Sequence, residues 1–175
     1  MTQGAIAGFG GKGARRLALL AGAALSVVSC GTAFANPAAA GQVLPLVPYP
    51  ASVERASGVL TLTSGTVLQV PGGDHEAKTA AQLLADRAKS ERGLTFVVSE
   101  NSTGKIRFVR DPAIKGAEAY RLTVTPQGAT IAASGAQGLV YGAMTLDQLL
   151  GSGDGAPARV PSVVIDDARA LAGAV

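Results

Sequence analysis

The sequence predicts an α+β domain: a mostly antiparallel or mixed sheet of about six to seven strands, accompanied by two helices. Three observations carry that prediction. Seven short runs are rich in Val, Leu, Ile and Thr, two segments repeat apolar residues at helical spacing, and their order along the chain is β-β-α-β-β-β-β-α-β. The chain has 175 residues, room for one globular domain at about 100–200 residues each. No segment repeats at solenoid periods.

Ahead of the domain, Lys12, Arg15 and Arg16 precede the apolar run Leu17–Val28, and the small residues Ala33-Phe34-Ala35 follow. This is the pattern of an export signal over residues 1–35, cleaved after Ala35 so that the mature chain starts at Asn36. The apolar run falls short of the roughly 20 residues that a membrane-spanning helix needs. A second cleavage site competes: Cys30, the sole cysteine, lies in Val27-Val28-Ser29-Cys30-Gly31, which is like a bacterial lipoprotein box. Cleavage before Cys30 would leave a lipid-anchored chain, whereas the commoner A-x-A site removes the thiol altogether. The expected location is therefore periplasmic or extracellular, with a lipoprotein as the alternative. Neither route permits a disulfide within one chain, so stability must come from packing.

Residues 36–42 read as a linker, and Leu44-Pro45-Leu46-Val47-Pro48-Tyr49-Pro50 as an extended lead-in, because prolines so spaced forbid helix. Gly58–Thr63 and Thr66–Val70 flank Ser64-Gly65, two alternating runs around a two-residue turn, which predicts a β-hairpin. Asp74 is a good N-cap, Ala77, Ala80, Ala81, Leu84 and Ala88 recur at helical spacing, and Gly93 can close a helix over about 75–92. Strand-like runs follow at 94–98, 105–110, 119–124 and 129–133. In the second and third of these, polar Arg107, Arg121 and Thr123 alternate with apolar residues, so one sheet face is expected to be wet. Residues 136–150 form a second helix. Leu139, Ala143, Leu146 and Leu150 line one face of it, and Val140, Tyr141 and Met144 another, which implies burial on more than one side. Val160–Ile165 is a last strand whose Pro161 suits an edge.

Lys and Arg total 15 against 12 Asp and Glu. Three of the cations lie in the leader, so the mature chain is balanced and no nucleic acid or anionic membrane is indicated as partner. Trp is absent and aromatics are 4%, which argues against stacking platforms for bases or sugar rings. His75, the only histidine, sits between Asp74 and Glu76 at a helix start, where consecutive side chains diverge; it reads as a solvated first-turn residue and not as a metal ligand. Gly8-Phe9-Gly10-Gly11-Lys12-Gly13 matches G-x-G-x-x-G but lacks the strand before it and the acid after it that dinucleotide binding requires. Asp166 and Asp167 are adjacent in extended chain and point to opposite faces, so they make no carboxylate dyad. No cofactor or metal is expected.

The lead-in 44–50, Ala119-Tyr120-Arg121-Leu122-Thr123-Val124, the segment Gly138-Leu-Val-Tyr-Gly-Ala-Met-Thr-Leu-Asp-Gln-Leu-Leu150 and Val160-Pro-Ser-Val-Val-Ile-Asp166, in this order and spacing, resemble the N-terminal non-catalytic domain of family 20 glycoside hydrolases, the exported β-N-acetylhexosaminidases. The resemblance covers residues 43–167. It implies a sheet with two helices on one face and, as partner, a following (β/α)₈ barrel against which the helices pack. Leu139, Val140, Tyr141, Met144 and Leu146 are then the expected barrel-packing residues. In the family the barrel carries out substrate-assisted hydrolysis of terminal N-acetylhexosamine.

Only nine residues follow Asp166, against the roughly 250 of such a barrel. The family's Asp-x-Pro-Arg-Phe exit is replaced by Asp166-Asp167-Ala168-Arg169-Ala170, with no counterpart of the sugar-holding arginine. No catalytic or substrate-binding residue can be carried over. The sequence thus reads as a truncated hexosaminidase with an aberrant tail at 168–175, retaining the accessory domain and itself non-catalytic. The alternative is a stand-alone exported carbohydrate-binding or docking module.

Overall fold

The computed structural model describes residues 44–168. The elements are β1 (Ser52–Leu62), β2 (Val67–Gln69), α1 (His75–Arg92), β3 (Val97–Ser99), β4 (Ile106–Arg110), β5 (Tyr120–Thr125), β6 (Gly128–Ala133), α2 (Ala136–Leu150) and β7 (Ala158–Asp167). All seven strands form one sheet in the order β1-β7-β5-β6-β4-β2-β3. It is antiparallel from β1 to β6 and parallel from β6 to β3, so the sheet is mixed. The parallel half follows from α1, a helical crossover that returns the chain beside β2 in the same direction.

Both helices lie on one face, packed on each other and on the sheet. The core between the layers is supplied by Leu68, Ile106, Phe108, Leu122, Ile131 and Ile165 from the strands. Ala77, Ala81, Leu84 and Ala88 come from α1, and Leu139, Ala143, Leu146 and Leu150 from α2. Small residues on α1 let it approach the sheet closely. Burying each of the larger side chains contributes about 1.5–3 kcal/mol. The opposite face is polar as expected: in β4 buried Ile106 and Phe108 alternate with exposed Arg107 and Val109.

Two local expectations are overturned. Residues 58–63 and 66–70 do not form a hairpin. β1 pairs with β7, about a hundred residues later, and β2 pairs with β3 and β4 on the far side of the sheet. Around Ser64-Gly65 the chain passes between the two regions: Gly65 N donates to Thr95 O (2.8 Å), and Thr66 Oγ1 to Thr63 O (2.7 Å). Nor is Pro161 on an edge, since β7 lies between β1 and β5. It is tolerated because it faces Val59 where the β1–β7 register slips between Arg55 and Val59, and a bulge spares a strand the missing N–H. Gly58 (φ 110°) lies in that slip, and a Cβ there would meet Pro126 Cγ at 2.5 Å. Beyond the slip the buried parity of β7 changes, with Ser162 and Val163 both buried, and Leu60, Leu62, Ala158 and Val160 enter the core.

Helix α1 begins at its predicted cap: Ala77 N donates to Asp74 Oδ1 (2.9 Å). It ends on Gly93 in the left-handed region. Arg110, at the end of β4, donates to both Asp74 oxygens (2.7 and 3.1 Å) and to Glu76 Oε2 (2.6 Å). The start of α1 is thereby pinned to the sheet, and this pairing, with the backbone N–H of Ala77, holds the Asp74 carboxyl at about 2 instead of 3.8.

Candidate functional site

The residue types along α2 determine how it sits. Gly138 and Gly142 are one turn apart on the face that meets β5 and β6. A Cβ on Gly138 would come within 2.3 Å of Ala119 O, and one on Gly142 within 2.6 Å of Ile131 Cγ2. These glycines let the helix backbone lie directly on the sheet, which is the physical content of the Gly-Leu-Val-Tyr-Gly signature. Tyr120 OH and Thr145 Oγ1 share a buried hydrogen bond of 2.7 Å at the same contact. On the side toward α1, Asp147, only 5% exposed, accepts from Arg87 Nε at 2.6 Å, and Arg87 also pairs with Glu91. The carboxylate raises the Arg87 pKa further. A buried carboxylate held this way clamps the two helices together.

What remains of α2 faces outward. Tyr141 is 44% exposed, and Val140 and Met144 are half-buried. Beside them the lead-in is tied to the helix by Gln148, whose amide bonds to both backbone groups of one residue: Val47 N donates to Oε1 (2.8 Å), and Nε2 donates to Val47 O (2.9 Å). Leu44 and Leu46 are buried, while Val47 is 79% exposed. Val47, Pro48, Tyr141, Met144 and Gln148, with Glu118, Tyr120, Thr145 and Asp167, line a cavity of about 450 Å³. Asp167 is the last residue of β7, so the cavity lies where the chain leaves the domain. The half-apolar lining, with an aromatic ring and a methionine at its rim, suits a protein surface better than a small polar substrate.

Of the residues expected to pack on a barrel, Val140, Tyr141 and Met144 lie at this outward face. Leu139 and Leu146 do not: both are fully buried in the domain's own core. The apolar stripe of α2 is wide because two adjacent helix faces meet the sheet and α1, and spacing alone does not show where the inner part ends. Ala35 and Cys30 fall outside the described residues, as do residues 1–43 and 169–175. His75 is exposed on the first turn of α1. Asp166 pairs with Arg121 at 2.6 Å on the outer sheet face while Asp167 lines the cavity, so the two carboxylates diverge. Sequence reasoning missed Gln148, Asp147 and Arg110. A polar residue amid the apolar stripe, as at Asp147, was the available signal for a buried partner.

Residues 43–168 match the family described as glycosyl hydrolase family 20, domain 2. Among solved structures the chain is similar to the N-acetyl-β-hexosaminidase of Streptomyces plicatus (34% identity, TM-score 0.63), covering 71% of this chain and 26% of that one. It is also similar to the exo-β-N-acetylglucosaminidase of Vibrio harveyi (27% identity, TM-score 0.62), covering 71% and 19%. A β-hexosaminidase of Akkermansia muciniphila is 52% identical over 50 residues, 29% of this chain and 10% of that protein. The chain therefore spans only a minor part of these relatives' length. Its matched span takes in every strand and both helices, and the chain belongs to glycosyl hydrolase family 20 through that family's domain 2.

Proposed function

We propose that residues 44–168 are the platform of a β-N-acetylhexosaminidase, seating a catalytic barrel on the outward strip of α2 and contributing no reacting group themselves. The observation that carries this reading is the partly apolar cavity between Tyr141, Met144 and Val47, placed where β7 ends. A domain joined to the chain after Asp167 starts beside that cavity. The parent activity is hydrolysis of terminal N-acetylhexosamine from chitin-, glycan- or peptidoglycan-derived sugars, and export by residues 1–35 would put the domain where such polymers occur. The test is turnover. The purified 175-residue chain should not release nitrophenol from an aryl N-acetyl-β-glucosaminide above a buffer blank, in a host deleted for its own hexosaminidases. Hydrolysis in that background would overturn the non-catalytic assignment.

A further inference from the structure

The sheet face opposite the helices carries a groove that the seating of a barrel does not use. A cavity of about 370 Å³ lies there, and a second of about 380 Å³ adjoins it at Arg107 and extends to Phe108 and to Arg110, which is held by Asp74 and Glu76. Strand register builds the centre of the groove: Gln69 of β2, Arg107 of β4, Thr130 of β6 and Thr123 of β5 stand side by side, a row spanning about 14 Å at the usual strand spacing. Arg107 Nη2 donates to Thr130 Oγ1 (3.1 Å), and Gln69 Oε1 accepts from Gly104 N (3.1 Å), which leaves the Gln69 NH₂ as a donor. Lys105, Thr103, Thr125 and Gln127 extend the lining.

Neither cavity has an Asp or Glu in its wall. Among the described residues, Arg107 and Lys105 make no ion pair. Arg121, on the outer face of β5, is paired with Asp166. We infer that this groove binds an acidic glycan chain, with Arg107 taking a carboxylate or sulfate and the flanking threonine hydroxyls and glutamine amides taking sugar hydroxyls. The fork of a guanidinium matches such anions bidentately. No aromatic ring offers a stacking surface in the row, so affinity rests on charge, and neutral sugars should bind far less well.

Affinity electrophoresis of the full 175-residue chain at low salt tests this, with hyaluronan or chondroitin sulfate cast in the gel and soluble neutral chitin oligomers as comparison. Both acidic polymers should retard the chain, 0.3 M salt should abolish the retardation, and Arg107→Ala should weaken it at least about tenfold. Arg121→Ala, which removes the same charge from a paired position, should leave it unchanged. Circular dichroism melting of Arg107→Ala should match the parent, since Arg107 is exposed. Equal loss in the two variants, equal retardation by single-stranded DNA, or competition by inorganic sulfate at matched anion concentration would overturn the glycan assignment. So would undiminished retardation of Arg107→Glu.

Discussion

Asp74 shows how much one side chain does at the start of α1. It caps the helix through Ala77 N, receives Arg110 on both oxygens, and is 16% exposed. Its folded pKa of about 2 lies below the unfolded 3.8. The stabilisation is therefore fully present above about pH 4 and lost as pH falls through about 2, and it amounts to roughly 2 kcal/mol. Urea midpoints of the parent should drop across that acid window. Asp74→Asn keeps a capping oxygen but removes the charge, so its midpoint should be lower at neutral pH and should vary less between pH 4 and 2. An unaltered acid slope in Asp74→Asn would place the titration elsewhere. The cap was legible from sequence, because a short acceptor before a helical repeat has a local cause. Arg110 was not, since it reaches Asp74 from 36 residues away.

At the scale of an element, α2 combines two surfaces. Its inner face depends on absent side chains: Gly142→Ala would gain up to about 1 kcal/mol of helix propensity but force a Cβ to within 2.6 Å of Ile131. Overpacking of that kind costs about 1–3 kcal/mol, so thermal melting should show a net destabilised variant. The outer face behaves in the opposite way. Met144→Lys or Tyr141→Lys should reduce binding of a hydrophobic dye and any self-association seen by light scattering, with little change in melting temperature. Leu139→Lys should instead leave the chain unfolded or insoluble, because a charge at a fully buried position has no partner there. If Leu139→Lys proved as soluble and stable as Met144→Lys, the division of the helix into faces would be wrong. Helical periodicity identified the element and its ends, but the boundary between its faces depends on where β5, β6 and α1 lie.

For the molecule as a whole, the pairing of β1 with β7 closes the domain, with its first and last strands antiparallel along most of their length. The lead-in and the end of β7 meet at the same cavity, so anything attached after Asp167 adjoins Val47 and Pro48. The proposed export signal, residues 1–35, lies outside this domain. The intact mass of material from the native host should correspond to a start at Asn36. A diacylglyceryl mass on Cys30 would instead make the chain a lipoprotein, and an uncleaved start at Met1 would contradict export by either route.

The sequence by itself determined the element order, both helices to within a residue or two, the wet outer face of β4 and β5, and the family resemblance of residues 43–167. Each of these rests on local causes: side-chain period, caps, and residue types in fixed order. Tertiary structure decided which strands pair, since Ser64-Gly65 between two alternating runs satisfies the local rules for a hairpin although each run finds its partners elsewhere in the sheet. It also moved Leu139 and Leu146 into the core, and set Gln69, Arg107, Thr130 and Thr123 in one row from four separate strands. Hydrogen-bond register between distant segments is fixed only when the whole sheet and its helices bury their apolar surface together, and no window of the chain contains that information.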